Sequence, residues 1–225
     1  MKILCISDTH NRHNVLQCLP EADVIIHAGD FCSRGYREEC VEFFRWFASL
    51  NYKHKICIAG NHDFYMENLP EERNDEIIPL GIHYLNDSGC EIEGVKFWGS
   101  PVQPTFYNWA FNRERGSEIQ KHWEKIPNDT DVLITHGPAY GYLDLVYQDD
   151  ENVGCSDLLR TTELIKPIVH ICGHIHAHGG MSEMTRDTLF INASICDESY
   201  QPVNKPVLID LEVSEDKSDV SIITF

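Results

Sequence analysis

Lys55-Ile56-Cys57-Ile58-Ala59-Gly60-Asn61-His62-Asp63 is an apolar run that stops in a glycine and three polar, ligand-type side chains. A short apolar run bounded by a turn signal reads as a buried strand, and open α/β sheets carry their ligand-facing groups at strand ends. The tetrapeptide by itself also suits a turn held by Asx hydrogen bonds. Recurrence of the pattern decides between the two.

The pattern recurs along the chain. Lys2 to Ser7 ends in Asp8-Thr9-His10, and Val24 to Ala28 ends in Gly29-Asp30. Val132 to Ile134 ends in Thr135-His136-Gly137-Pro138, and Ile168 to Cys172 ends in Gly173-His174-Ile175-His176. Between the second and third runs, Val41, Phe43, Phe44, Trp46, Phe47 and Leu50 follow helical spacing, with Glu38, Glu39, Glu42 and Arg45 on the polar side. This is a crossover helix whose aromatics pack on a sheet, so the order is β-α-β and the sheet is partly parallel.

Further helical stretches are expected up to about Leu19, within the acidic segment Asn68 to Pro79, from Ser117 to Glu124, and from Ser156 to Ile165 with Ser156 as N-cap. Short strands around Ile82 to Leu85, Glu91 to Ile92 and Val95 to Gly99 follow the third run, the last two joined as a hairpin across Glu93-Gly94. Leu189 to Ala193, Val207 to Glu212 and Val220 to Thr224 read as a β-rich tail forming a second sheet, with the polar Ser214 to Asp219 as a hairpin turn.

No linker, repeat or long low-complexity segment divides the 225 residues, so one domain spanning 1–225 is expected. The 36 acids against 18 bases give a net charge of -18, which argues against broad binding to nucleic-acid backbone or to an anionic membrane. A small anionic substrate is compatible with it, because bound divalent cations dominate the local field of a site. Nine cysteines, an odd count without Cys-x-x-Cys spacing, sit largely in apolar runs. No apolar run approaches the roughly 18 residues of a membrane span, and no leader-like segment precedes the first strand. A reduced, soluble, cytoplasmic protein is expected.

Five strand ends therefore present Asp8, His10, Asp30, Asn61, His136, His174 and His176 as potential metal ligands, with Gly29, Gly60, Gly137 and Gly173 letting the chain turn so that they converge. Imidazole, carboxylate and amide oxygen without thiolate suit divalent Mn, Fe, Zn, Co or Ni. Seven candidates, one a carboxylate able to bridge, fit two ions, and two ions roughly 3.5–4 Å apart serve in-line displacement at phosphorus. The aromatic stretch Pro101 to Gly116, with Phe106, Tyr107, Trp109 and Phe111, either plugs the core or lines a ligand pocket. His13, His54, His83, His122, His170 and His178 have no place in the ligand set and read as surface or satisfied core.

The ordered set Asp8-x-His10, Gly29-Asp30, Gly60-Asn61-His62, His136 and Gly173-His174-x-His176 resembles the calcineurin-like metallophosphoesterase superfamily. Asn108-Trp109-Ala110-Phe111-Asn112, Val153-Gly154-Cys155 and Ile191-Asn192-Ala193-Ser194 extend the likeness to MPPED-type metallophosphodiesterases, related to class III cyclic-nucleotide phosphodiesterases. The resemblance implies a four-layer α/β/β/α sandwich with two mixed β-sheets. It implies one metal on Asp8, His10, Asp30 and His176 and another on Asp30, Asn61, His136 and His174, with Asp30 bridging and manganese favoured. Attack on a small phosphodiester or cyclic nucleotide (2′,3′- or 3′,5′-) by a hydroxide held between the metals would follow, with His62 as the catalytic group at the phosphoryl oxygen and leaving alkoxide. Trp109 and Phe111 would contact a base, and Arg34, offset by one residue from the Asp-Arg-Gly of related protein phosphatases, would face phosphate or the surface. Some similar members carry glycine at the position of His174 and are weakly active, whereas this chain keeps the histidine. A phosphomonoesterase or protein phosphatase, and a nucleotide-binding regulatory protein of low turnover, stay open as alternatives.

Overall fold

The computed structural model describes residues 1–146, 150–213 and 218–224. In chain order its strands are β1 (Lys2–Ile6), β2 (Val24–Ala28), β3 (His54–Ile58), β4 (Ile82–Tyr84), β5 (Ser88–Ile92), β6 (Val95–Ser100), β7 (Gln103–Pro104) and β8 (Asn112–Arg113). They continue as β9 (Val132–Thr135), β10 (Leu145–Val146), β11 (Glu151–Asn152), β12 (Val169–Cys172), β13 (Ser182–Met184), β14 (Leu189–Asn192), β15 (Val207–Val213) and β16 (Ser218–Ile223). The helices are α1 (Arg37–Ser49), α2 (Phe64–Asn68), α3 (Ser117–Trp123) and α4 (Ser156–Ile165).

Two six-stranded sheets stack face to face, ordered β16-β15-β1-β2-β3-β4 and β13-β14-β12-β9-β6-β5. Strands β1 to β4 run parallel, as do β6, β9, β12 and β14, and antiparallel strands close both edges of the second sheet and the β16 edge of the first, whose other edge is the parallel β4. Because side chains alternate across a strand, Ile3, Ile26, Ile56 and Ile209 of the first sheet meet Phe97, Ile134, Ile171 and Ile191 of the second in an apolar layer between the sheets. Leu4, Ile6 and Ile25 point the other way and are covered by Phe43, Phe44 and Phe47 of α1. Leu133 and Phe190 on the far side of the second sheet are covered by Ile119 and Trp123 of α3 and Leu158 of α4. Both sheets are thus buried on both faces, which is why their strands read as unbroken apolar runs. Each fully buried aromatic ring of α1 contributes about 1.5–3 kcal/mol by leaving water.

The four-layer sandwich agrees with the sequence expectation, and the hairpin across Glu93-Gly94 forms with both residues at positive φ, 51° and 84°. The tail departs from it. Only β13 and β14 join the second sheet, whereas β15 pairs antiparallel with β1, Ile3 facing Ile209, and β16 pairs with β15. Periodicity identifies a strand but not its partner, and here burial of Leu208, Ile209 and Leu211 beside β1 selects the first sheet. The stretch expected to be helical up to Leu19 is one 3-10 turn at His13–Val15. The N-cap of α4 is Cys155, whose sulfur accepts the Leu158 amide at 3.4 Å, and not Ser156. Ser214 to Lys217, most of the expected C-terminal turn, lie outside the described residues. All nine cysteines are free thiols, and no described helix is long and apolar enough to cross a membrane.

Two buried histidines lie on central strands, His27 with Nε2 3.0 Å from Thr9 Oγ1 and His170 with Nε2 2.7 Å from Thr135 Oγ1. Burial pushes both down to about 3. Each is neutral in the fold but takes a proton in the unfolded chain below about 6.5, so stability is fully present above that pH and falls as pH drops toward the folded value. Under chelator, the urea midpoint is expected to correspond to about 1 kcal/mol less stability per histidine at about pH 5.5 than at about pH 7.5. His170→Gln should remove its share of that drop, and an undiminished drop in the variant would assign the loss to other groups.

Candidate metal centre

The carboxyl ends of the parallel strands of both sheets meet along one edge, where Ser7 bridges to Ser194 and the Gly173 amide donates to the His136 carbonyl at 2.9 Å. Four of the seven expected ligands turn off their strands in the left-handed region, Asp8 (φ 50°), His10 (41°), Asp30 (56°) and His174 (68°). For residues with a Cβ this backbone is strained by about 1 kcal/mol or more each, and such strain gathers at functional sites.

The glycines beside them act differently from the turn-forming role expected. Gly29 does sit at φ +99°, but Gly60 and Gly173 are needed for clearance: a Cβ on Gly60 would overlap Asp30 Oδ1, and one on Gly173 would overlap Asp8 Oδ2 and Ser7 Oγ. A Cβ on Gly137 would meet only ordinary contact.

Six expected ligands converge. His10 Nε2 lies 3.2 Å from His176 Nε2 and 3.9 Å from Asp30 Oδ2, His176 Nε2 lies 3.3 Å from Asp8 Oδ1, and His136 Nε2 lies 3.4 Å from Asp30 Oδ2 and 2.8 Å from Asn61 Oδ1. Asp8, His10 and His176 form one group whose ligand atoms lie within 4.8 Å of one another, Asp8, Asp30 and His136 a second, and His10, Asp30 and His62 a third. His174 stands outside these groups, at the rim, with its ring 5.1 Å from that of His136 and its amide donating to Asp8 Oδ1 and Oδ2 at 3.1 and 3.0 Å.

The donor chemistry fits metal cations. His10, His136 and His176 each direct Nδ1 at a backbone carbonyl, of Cys32 (3.1 Å), Ala28 (3.0 Å) and Asp197 (2.9 Å). Those Nδ1–H donations leave the Nε2 atoms facing one another and the carboxylates, an arrangement that a shared cation satisfies. Burial opposes ionisation of Asp8 and Asp30, yet the His176 hydrogen bond on Asp8 and the His136 charge on Asp30 hold both well below the usual carboxylate range. Burial pushes His10 down to about 4 and His174 to about 3, so both offer neutral imidazole. His136 is raised to about 9: burial opposes its charge, but the Asp30 carboxylate outweighs that, marking a spot where positive charge is favoured.

His62 points Nδ1 at the Ser33 carbonyl (2.8 Å), and its amide donates to Asp30 Oδ1 (2.7 Å). Its Nε2 remains 3.9 Å from Asp30 Oδ2, and its ring stacks on Trp109 at 4.3 Å. The aromatic stretch divides between the two roles expected for it. Trp109 and Phe106 line a cleft of ≈ 210 Å³ over the cluster together with His62, His174 and Tyr200. Phe111, expected beside a base, is 3% exposed and belongs instead to the core under α1, its amide held by Glu67. Arg34 is exposed at a second opening. Of the histidines outside the set, His122 bonds Asp87 at 2.6 Å, and buried His13 has neither ring nitrogen hydrogen-bonded, lying instead against Phe43 and Trp46.

Of the supports, sequence reasoning read only Asp63, as a residue that holds its loop or orients His62, and missed the others. Asp63 is buried and accepts the amides of Asp30 (3.0 Å), Gly60 (2.7 Å) and Cys32 (2.9 Å), tying the second and third strand ends together. Burial and then the Asp30 charge push its carboxyl up to about 8, against the pull of the amides. Ser194 Oγ donates to Asp8 Oδ2 at 2.8 Å, and Asn192 Nδ2 holds the Gly173 and Ile175 carbonyls at 3.3 and 2.9 Å. Polar Asn192 and Ser194 alternating within an apolar run was the available signal. Tyr200 (φ 57°), with its ring 4.8 Å from that of His10 and 5.3 Å from that of His176, carried none.

Comparison with known proteins bears on this geometry. Residues 1–178 match the family model described as calcineurin-like phosphoesterase. The human metallophosphoesterase domain-containing protein 1 is 41% identical over 233 residues, covering 93% of this chain and 71% of its own length. A Caenorhabditis elegans UPF0046 protein is 41% identical over 222 residues, covering 92% and 74%. Among solved structures, one superposes with a TM-score of 0.72 at 16% identity, covering 100% of this chain and 98% of its own. A phosphopantetheinyl hydrolase from Mycobacterium tuberculosis superposes with a TM-score of 0.57 at 14% identity, covering 88% and 90%. These structural likenesses speak to the fold alone.

Proposed function

Because the chain belongs to the calcineurin-like phosphoesterase family and is a metal-dependent phosphoesterase by descent, we propose that it hydrolyses small phosphodiesters, cyclic nucleotides (2′,3′- or 3′,5′-) among them. The observation that carries this reading is the placement of His62: its Nδ1 is committed to a backbone carbonyl, while its Nε2 faces both the ligand cluster and the aromatic cleft. Asp8, His10, Asp30 and His176 would hold one divalent ion and Asp30, Asn61, His136 and His174 the other, Mn²⁺ being favoured among Mn, Fe, Zn, Co and Ni. Bound there, the ions supply Lewis acidity at phosphorus and lower the pKa of water.

The chain's own residues do the rest. Asp30 holds the His62 amide and so fixes the imidazole relative to the cluster. The Nε2 of His62, protonated, hydrogen-bonds a phosphoryl oxygen and passes its proton to the departing alkoxide. Trp109 keeps that ring from rotating by stacking on it, and with Phe106 it offers flat surface to a base.

The leaving-group dependence of His62→Ala tests the reading. With Mn²⁺ present, turnover of 2′,3′- or 3′,5′-cyclic AMP is expected to fall about 10²- to 10⁴-fold, because an alkoxide needs the proton. Turnover of bis(p-nitrophenyl) phosphate should fall far less, since p-nitrophenolate leaves without one, and metal content should be unchanged. Equal losses on both substrates would remove His62 from the proton-transfer step. Absence of chelator-sensitive diester turnover by the wild-type chain would remove the diesterase reading itself.

A further inference from the structure

The ligand cluster opens on two sides of different chemistry. On one lies the aromatic cleft with Phe106 and Trp109. On the other lies a cleft of ≈ 710 Å³ lined by Arg12 and Arg34 with Asn11 and Ser33. His62 and Tyr200 line both, so the clefts meet beside the group placed next to the scissile phosphorus. Tyr200 is the partition. Its turn is tied by Asp197, whose Oδ1 accepts the amides of Ser199 (2.9 Å) and Gln201 (2.8 Å) and whose carbonyl accepts the Tyr200 amide (2.8 Å).

The second cleft holds cations without an internal counter-ion. Arg73, Arg113 and Arg160 are ion-paired with Glu67, Glu76 or Asp157, but among the described residues neither Arg12 nor Arg34 pairs with a carboxylate. Glu39 holds the loops that carry this rim, and its oxygens are already engaged: Oε1 accepts Asn11 Nδ2, and Oε2 accepts the amides of Arg34 (3.0 Å) and Tyr36 (3.1 Å). These bonds fasten both arginine-bearing loops to the first turn of α1. In a chain of net charge -18, two exposed guanidinium groups facing one cleft beside a cation site form a local positive field. Guanidinium geometry suits phosphate oxygens in particular.

We propose that the Arg12–Arg34 cleft is a subsite for a second phosphate on the substrate, carried on the arm of the diester opposite the arm that enters the aromatic cleft. The inference rests on the diesterase reading and narrows it. A cyclic nucleotide has both ester oxygens on one ribose and sends no second arm across Tyr200, whereas a linear diester with a phosphorylated arm fills both clefts. In its hydrolysis the oxygen of water joins phosphorus, the bond to one ester oxygen breaks, and that oxygen leaves with a proton or as a stable anion.

Two linear probes test the assignment: the p-nitrophenyl ester of thymidine 5′-phosphate, and the same ester carrying a 3′-phosphate. For the metal-loaded wild-type chain, kcat/KM is expected to be about tenfold or more higher for the phosphorylated probe, as charge-assisted hydrogen bonds allow. In Arg12→Gln/Arg34→Gln the ratio should fall to about one. Calorimetry gives a readout independent of turnover, because the preference for thymidine 3′,5′-bisphosphate over thymidine 5′-phosphate should be lost in the same variant. A wild-type ratio near one, or a preference that survives the double substitution, overturns the subsite while leaving the diesterase reading intact. If neither probe is turned over, the diesterase reading fails, and the calorimetric preference decides the subsite alone.

Discussion

Asp30→Asn is expected to lower turnover of a diester by on the order of 10³-fold or more and to take metal content from two ions per chain to one or fewer. Asp30 is the residue that the two proposed ligand groups share. Its Oδ2 lies 3.4 Å from His136 Nε2 and 3.9 Å from His10 Nε2, and its Oδ1 accepts the His62 amide at 2.7 Å. An asparagine keeps the shape but removes the negative charge. It also turns one acceptor into an NH₂ group that must point either at imidazole nitrogens or at an amide donor, and each choice loses an interaction. Elemental analysis alongside kinetics separates the two losses. A variant with two metals and wild-type turnover would show that Asp30 neither bridges nor orients.

The second large effect is on stability. Asp63→Ala is expected to cost about 3 kcal/mol or more, because three buried amides lose their acceptor at once and each orphaned buried donor costs about 1–3 kcal/mol. Those amides belong to Asp30, Cys32 and Gly60, so the same change frees Asp30 and the carbonyl that orients His10. Asp63→Asn keeps one oxygen, and its denaturation midpoint should fall between those of wild type and alanine. A urea midpoint for Asp63→Ala that corresponds to less than about 1 kcal/mol would mean that the amides find other partners, and Asp63 would lose its place as the pin between two strand ends.

Asp63 also shows where sequence legibility ends. It stands next to His62, and sequence read it as supporting that loop or orienting His62 without naming what it holds, because the amides that it satisfies lie up to 33 positions away. Asn61 and His62 were singled out in sequence by the recurrence of Asp, Asn and His at strand ends and by the family resemblance, and the structure brings both to the cluster. The two halves of the aromatic stretch were not separable in advance. Trp109 and Phe111 are two residues apart and chemically alike, but one stacks on His62 and the other packs under α1, and only the path of the loop, held by Ala110 N–H to the Asn61 carbonyl at 3.1 Å, assigns them. Tyr200 illustrates the same limit. It reaches three histidines from strand ends far apart in the chain, and no local pattern announces such a ring.

The sequence by itself determined what depends on residue type and short spacing. Buried apolar runs define the parallel strands, the aromatic stripe of Arg37–Ser49 defines the crossover helix, and Asp, Asn and His at five strand ends define a nitrogen-and-oxygen ligand set. The tertiary structure alone decided what depends on distance between chain segments. It assigned β15 and β16 to the first sheet, made Gly60 and Gly173 matters of clearance, joined two strand ends through Asp63, and set Tyr200 between an aromatic and an arginine-lined cleft. The physical reason is common to all four. Periodicity and side-chain chemistry are local properties, whereas pairing partner, atomic clearance and the satisfaction of buried polar groups are properties of packing between segments that the linear order leaves apart.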